Sequence, residues 1–158
     1  MTTTNFQAVL LGSDQGRKVY FKKLYSLVER YSLTKKVKFI NHCREMPLAY
    51  SLADVVVSAS IEPEAFGRVA VESQSMCKPI IASNIGGSKE TVLNRKSGFL
   101  YKHDDPRELA KNLNTVIQLN QEELKLMGNE GRKNVTKKFD VETMCESNLR
   151  EYKKLLKN

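Results

Sequence analysis

Two glutamates flank a glycine at the point where a strand-like run gives way to a helical pattern. Glu64 lies two residues before Phe66 of the pair Phe66-Gly67, and Glu72 lies five residues after Gly67. A helix that starts near Gly67 presents unpaired backbone N–H groups and the positive end of its dipole, which together suit a phosphate. At about 100° per residue, Glu72 lies about 60° from Val69, so its carboxylate leans toward the protein. A carboxylate in that place suits hydroxyl donors, of which a ribose supplies two.

The spacing of these glutamates is a weak signal without its context. Two carboxylates on a loop and a helix are more often solvent-exposed charges than parts of a site. Here the pair surrounds a turn between a buried strand and a helix, and a second glycine turn, Gly86-Gly87, follows with Glu90 three residues later. This context favours a binding site over exposed charges.

Other chemistry-bearing residues give weaker indications. His42 follows a strand-like run and is either a ligand contact or a polar loop residue. His103 stands beside Asp104 and Asp105, but Asp105 is better used as a helix cap than as a metal ligand. The sequence also lacks an Asp-x-Asp motif.

Short apolar runs that alternate with amphipathic stretches predict the elements around these residues. Several runs are apolar almost throughout, which suits strands covered on both faces by helices. The predicted strands are Gln7 to Gly12, Val37 to Asn41, Ala53 to Ser58, Pro79 to Ser83 and Ser97 to Tyr101. Between the first two, a helical stripe is formed by Tyr20, Leu24, Leu27 and Tyr31. This βαβ rhythm predicts an α/β fold, with a Rossmann-like parallel sheet flanked by helices.

After Tyr101 the pattern becomes helical. Asp105-Pro-Arg-Glu108 and Asn120-Gln-Glu-Glu123 each place a capping side chain three residues before a glutamate. Asp140 is placed to cap the last helix, whose apolar stripe is Cys145, Leu149, Tyr152 and Leu156. The sequence therefore predicts a helical C-terminal segment.

Composition excludes several classes of protein. The chain has 158 residues and 41% hydrophobic content, enough for one core, so we expect a single domain over 1–158. Its three widely spaced cysteines encode neither a disulfide framework nor a zinc site. No run reaches the roughly 18 to 20 apolar residues of a membrane span, and the start lacks a signal-type stretch, so we expect a cytoplasmic protein. The net charge of +8 has two interpretations: the lysines are simply solvated, or they contact the inner face of an anionic membrane. Binding of nucleic acid is disfavoured, because aromatic residues are not interleaved with the basic ones.

Four motifs in order give the chain a specific resemblance. They are Glu64-Ala-Phe-Gly-Arg-Val-Ala-Val-Glu72, Lys78-Pro-Ile-Ile-Ala-Ser, Gly86-Gly-Ser-Lys-Glu90 and Ser97-Gly-Phe-Leu100. From about Phe6 to Tyr152 the chain resembles the C-terminal, donor-binding domain of the group 1 (family 4) retaining glycosyltransferases of the GT-B fold. The resemblance implies a donor that is a nucleotide diphosphate sugar, no cofactor, no metal, and a glycan or lipid-linked acceptor of cell-envelope polysaccharide or lipopolysaccharide synthesis.

The resemblance also implies roles for individual residues. Glu64 is the catalytic-site glutamate that binds the hydroxyls of the donor sugar, and Glu72 binds the ribose. The backbone of Ala65, Phe66, Gly67 and Arg68 approaches the sugar and the diphosphate. The loop from His42 to Arg44 borders the base.

The chain departs from the family pattern at two places. Cys77 stands where the family usually has glycine before Lys-Pro, which concerns packing or backbone geometry. In the family an Arg and a Lys clamp the diphosphate, and we find no counterpart of this pair before Phe6. We also find no counterpart of the acceptor-binding domain. Arg17 and Lys18 are better explained as the exposed start of a helix than as the missing pair.

We therefore expect this chain alone to bind donor without transferring sugar, as part of a full-length hexosyltransferase-type enzyme. Two alternatives are a non-catalytic GT-B-like binding module and a sugar-nucleotide epimerase. The missing Arg and Lys favour the first alternative, and the second calls for additional acid and base groups.

Overall fold

The structure is a computed structural model that describes residues 6–156. It divides into two compact units, the first up to Ala49 and the second from Tyr50 onward. The expectation of a single domain stays a prediction.

The first unit is a βαβ arrangement. Strand β1 (Ala8–Leu11), helix α1 (Lys18–Arg30) and strand β2 (Val37–Ile40) follow one another, and helix α2 (Met46–Leu52) begins near the unit's end. The two strands are parallel, with Ala8 opposite Val37 and Leu11 opposite Ile40. The parallel pairing predicted from the sequence is confirmed here.

The face of α1 that packs agrees with the predicted stripe only in part. The Phe21 ring lies 5.4 Å from the Phe39 ring of β2, and Tyr25 stacks on Phe39 at 4.3 Å. Tyr20, predicted to face the sheet, is 59% exposed, and Tyr31 is exposed as well. Leu24 and Leu27, the middle of the predicted stripe, are partly buried, so the prediction fails only at its two ends. Adjacent residues differ by about 100° around a helix, and at the N-terminal end Phe21 rather than Tyr20 contacts the sheet.

The second unit contains a parallel sheet of three strands. Strands β3 (Val56–Ser58), β4 (Ile80–Ser83) and β5 (Gly98–Tyr101) lie side by side in that order. Helix α3 (Arg68–Ser75) connects β3 to β4, and the short helix α4 (Ser88–Thr91) lies between β4 and β5. These strands confirm the three predicted runs, although β3 begins three residues later than predicted.

Strand β4 is covered on both faces. Ile80 and Ala82 pack with Ala70 of α3 and with Val92 in one cluster. Ile81, whose side chain points the opposite way, packs with Tyr101 and Val116 in a second cluster. All four residues of β4 are buried, as the continuous apolar run predicts.

The C-terminal segment consists of three helices, α5 (Pro106–Ile117), α6 (Gln121–Lys138) and α7 (Val141–Leu155). Their predicted caps are confirmed: Asp105 accepts from the amides of Arg107 and Glu108, Asn120 from Glu123, and Asp140 from Thr143. The predicted apolar stripe of α7 is not covered by another element of the described chain, since Cys145, Leu149, Tyr152 and Leu156 are all exposed. Helical periodicity defines such a stripe but does not say whether an element covers it.

Helices α3 and α6 pack with their backbones in close approach. A Cβ added at Gly128 of α6 would lie 1.9 Å from the carbonyl oxygen of Cys77, just after α3. Cys77 itself has a φ of 56°, in the left-handed region that glycine adopts without strain. Both packing and backbone geometry therefore constrain the position at which this chain departs from the family pattern.

Within the described residues, none of the helices combines the length and apolar character needed to cross a membrane.

Candidate functional site

The start of α3 has the geometry of an anion-binding site. Gly67 caps the helix in the left-handed conformation, with φ 74° and ψ 58°, where a side chain would be strained. Its carbonyl already accepts from the amides of Ala70 and Val71. Within residues 6–156, the amides of Gly67, Arg68 and Val69 have no such backbone acceptor, as is usual at the start of a helix. These free donors and the helix dipole together favour a negatively charged group at this end.

Glu72 lies on the first turns of α3 and is held by donors on both carboxylate oxygens. Its side chain is 35% exposed, in agreement with the inward lean predicted from the helix wheel. Arg68 Nε and Nη2 donate to Oε1 at 3.0 and 2.8 Å. The hydroxyl of Tyr50 donates to Oε2 at 3.0 Å. The carboxylate is thereby fixed beside the helix start without being sealed from solvent.

Tyr50 is the part of this site that the sequence reasoning missed. It lies on α2, is 6% exposed, and reaches Glu72 across 22 positions of sequence. Burial, and after it the hydrogen bond to the Glu72 carboxylate, raises the pKa of Tyr50 to about 12, so the phenol remains a proton donor throughout the neutral range. No local pattern marks a tyrosine as the partner of a carboxylate on another helix, so the sequence held no signal for it.

Glu64 lies on the loop before α3, where a neighbouring turn supports the backbone. The Glu64 carbonyl accepts from the Gly87 amide at 2.8 Å, and a Cβ added at Gly86 would lie 2.3 Å from that same carbonyl oxygen. The hydroxyl of Ser60 donates to Glu64 Oε1. The second glycine turn of the sequence thus acts as the surface on which the Glu64 loop rests, while the Glu64 side chain stays exposed.

Phe66 connects this loop to the end of α6. Its ring meets the Phe139 ring edge-on at a centroid distance of 5.7 Å and is 43% exposed. Ala65 is exposed beside it. Ala65, Phe66 and Arg68 are therefore exposed around the start of α3, whereas Gly67 between them is buried.

Six of the predicted site residues are brought together in the second unit by this loop and helix: Glu64, Ala65, Phe66, Gly67, Arg68 and Glu72. His42 and Arg44 lie in the first unit, exposed on the loop after β2. Their predicted place beside a base stays a prediction.

The described residues contain no group of three or more His, Cys, Asp or Glu side chains that could hold a metal ion. Near His103, the Asp105 carboxylate is used as the cap of α5. The chemistry available at the site is therefore that of carboxylate acceptors beside backbone and guanidinium donors. Such a set suits hydroxyl and phosphate groups.

Comparison with a family model matches residues 2–134 to the glycosyl transferases of group 1. Among curated proteins, the capsular polysaccharide biosynthesis glycosyltransferase CapM of Staphylococcus aureus is 31% identical over 122 residues, which are 77% of this chain and 31% of CapM. The match therefore spans about a third of that relative's length.

Solved structures share the fold over nearly the whole chain. A glycosyltransferase from Rickettsia africae superimposes with a TM-score of 0.90 at 31% identity, over 98% of this chain and 41% of that one. HepE from Anabaena, solved in complex with UDP-glucose, superimposes with a TM-score of 0.86 at 30% identity, over 94% of this chain and 41% of that one. A parallel-sheet unit of the GT-B glycosyltransferases is the architecture that these matches have in common.

Proposed function

This chain belongs to the glycosyl transferases of group 1, and we propose that it forms the donor-binding part of an enzyme that transfers a sugar from a nucleotide diphosphate sugar with retention of anomeric configuration. The observation that carries the proposal is the arrangement at the start of α3. Free helix-start amides lie between two acidic side chains, one on the preceding loop and one on the helix. A nucleotide sugar presents diphosphate oxygens between two sets of hydroxyls, so its charges and donors complement this order.

Each group at the site has a proposed task. Glu72 accepts from the ribose hydroxyls, and Glu64, the catalytic-site glutamate, accepts from hydroxyls of the donor sugar. The amides of Gly67 and Arg68 receive the diphosphate between them. Arg68, whose guanidinium lies beside Glu72, adds positive charge at the same end of the helix.

A uridine nucleotide is the donor that we propose to test first. HepE, at 30% identity, was solved with UDP-glucose. CapM is named for capsular polysaccharide biosynthesis, which supports an acceptor that is a glycan or lipid-linked saccharide of the cell envelope. A lipid-linked acceptor would bring this basic chain to the inner face of an anionic membrane.

In the proposed reaction, the bond from the anomeric carbon to the diphosphate breaks while the acceptor hydroxyl attacks from the same face. Negative charge grows on the departing diphosphate, where the amides at the start of α3 stabilise it. The acceptor proton leaves with the diphosphate or to water, so no side chain of this chain is assigned as a general base.

Separate substitutions of the two glutamates test the assigned roles. We expect Glu72→Ala to weaken binding of UDP and of UDP-glucose by about 1 to 3 kcal/mol, the scale of lost charge-assisted hydrogen bonds. Glu64→Ala leaves UDP affinity nearly unchanged and weakens only UDP-glucose. The matched control is Glu130→Ala, which removes an exposed glutamate that pairs with Lys133 on α6. NMR titrations are suitable, because millimolar affinities are expected from amides and one carboxylate.

Equal losses for both ligands in both glutamate variants would overturn the division of roles. Losses no larger than those of Glu130→Ala would overturn the donor site itself.

Transfer is a separate question from binding. The chain spans about a third of CapM, and orientation of an acceptor can contribute roughly 7 to 11 kcal/mol to a rate enhancement. We therefore expect the 158-residue chain to bind donor without transferring sugar. A radiolabelled-donor assay with envelope saccharides as acceptors checks this, and acceptor-dependent turnover above that of a Glu64→Ala, Glu72→Ala double variant would contradict it.

A further inference from the structure

The Glu72 carboxylate is held by two donors of very different exposure. Tyr50 is 6% exposed and donates to Oε2 at 3.0 Å. The Arg68 side chain is 83% exposed and donates twice to Oε1, at 3.0 and 2.8 Å. A buried phenol has few alternative positions, whereas an exposed guanidinium on the same helix turn can exchange its partner for water.

The number of acceptor positions on Glu72 limits how many donors its carboxylate can bind at once. An ionised carboxylate offers about four lone-pair positions on its two oxygens. Three are occupied, one by Tyr50 and two by Arg68, which leaves one. A ribose presents two adjacent hydroxyls, so Glu72 accepts from both only when one of the three present donors gives way. Arg68 is the donor that can turn to solvent, because its side chain is exposed.

We infer that Tyr50 is a positioning residue for the ribose-binding carboxylate: it keeps its bond to Oε2 and fixes the orientation of Glu72, while Arg68 releases Oε1 to the ribose diol. The inference rests on the proposed function and deepens it, because it assigns a task to a buried residue outside the loop and helix of the site. Tyr50 touches no ligand in this arrangement and acts only through Glu72.

The test compares one hydroxyl deletion across two ligands. Tyr50→Phe removes the hydrogen bond and keeps the ring, and the probes are UDP and 2′,3′-dideoxyuridine diphosphate, which lacks both ribose hydroxyls. We expect Tyr50→Phe to weaken UDP binding about tenfold and to change binding of the dideoxy ligand by less than about twofold, which NMR titration measures. The selectivity follows because a disordered Glu72 matters only to a ligand that uses it.

Tyr101→Phe is the matched control. Tyr101 is also buried in the second unit, at 4% exposure, and packs in the cluster around Ile81 rather than against Glu72. It should leave both affinities unchanged. Urea unfolding of both variants verifies that each remains folded at the titration temperature.

The outcomes separate this inference from the proposed function. If wild-type chain binds UDP no better than the dideoxy ligand, Glu72 has no role at the ribose, and both are overturned. If wild-type chain prefers UDP, and Glu72→Ala removes that preference but Tyr50→Phe does not, the donor site stands and the role of Tyr50 is overturned. Equal weakening of both ligands by Tyr50→Phe also overturns it, because displacement of α3 would disturb the diphosphate amides as well as Glu72.

Discussion

Replacing Gly87 by alanine should displace the loop that carries Glu64. Gly87 has φ −61° and ψ −20°, a conformation open to every residue, so the substitution brings no backbone strain of its own. The added Cβ would lie 2.4 Å from the carbonyl oxygen of Phe66 and 2.5 Å from its carbonyl carbon. Ordinary contact begins at 3.4 Å, so the two backbones must separate by about 1 Å.

The energetic cost follows from this separation. Overpacking of this kind costs about 1 to 3 kcal/mol, and the bond from the Gly87 amide to the Glu64 carbonyl, 2.8 Å long, weakens as well. A loss of about 2 kcal/mol leaves a domain of ordinary stability folded. Binding suffers because Glu64 and the Phe66 backbone move together, and we expect UDP-glucose affinity to fall at least tenfold.

Urea unfolding and NMR titration of Gly87→Ala measure the two effects. The control is Gly131→Ala in α6, whose added Cβ would meet the Gln74 side chain at 2.9 Å, away from the Glu64 loop. This control should keep wild-type affinity for UDP-glucose. Wild-type stability and affinity in Gly87→Ala would refute the idea that the glycine turn supports the loop.

Three further substitutions test the fold and the Tyr50 environment. Cys77→Gly should raise the free energy of unfolding by about 0.5 to 1 kcal/mol, since glycine adopts the left-handed conformation without strain; urea midpoints that do not exceed those of Cys77→Ala would contradict this. Asn120→Ala should lower the free energy of unfolding by about 1 kcal/mol, because it removes the capping box of α6. An unchanged urea midpoint would show that the capping box does not stabilise the protein. The pKa of Tyr50 is about 12 in the folded state and 10 in the unfolded state, so the unfolded state loses its proton first as the pH rises. The difference in unfolding free energy between wild type and Tyr50→Phe should therefore be constant below pH 10 and should fall between pH 10 and 12, by up to about 1.4 kcal/mol per pH unit. Denaturation at pH 9 and at pH 11.5 measures that difference, and a constant value would contradict the raised pKa.

The sequence predicted what depends on short stretches of chain. The parallel strands and the caps at Asp105, Asn120 and Asp140 were found because alternation, apolar runs and capping residues act within a few positions. The loop and helix around Gly67 were found for the same reason.

Features that depend on packing between distant segments were missed or misjudged. The bond from Tyr50 to Glu72 joins residues 22 positions apart, and the contact of Gly87 with Phe66 joins two loops. Tyr20 and Phe21 both offer an aromatic ring to the N-terminal end of the α1 stripe, and only the position of Phe39 decides between them. In each case the deciding partner lies on another element.

The double covering of β4 makes its amides reporters of the whole second unit. With a neighbouring strand on each side and an apolar cluster on each face, the N–H groups of Ile80 to Ala82 are expected to exchange with deuterium only when the unit unfolds globally. A ligand that binds only the folded state lowers the population of that unfolded form. Donor binding at the start of α3 will therefore slow deuterium uptake in a strand that the donor never touches.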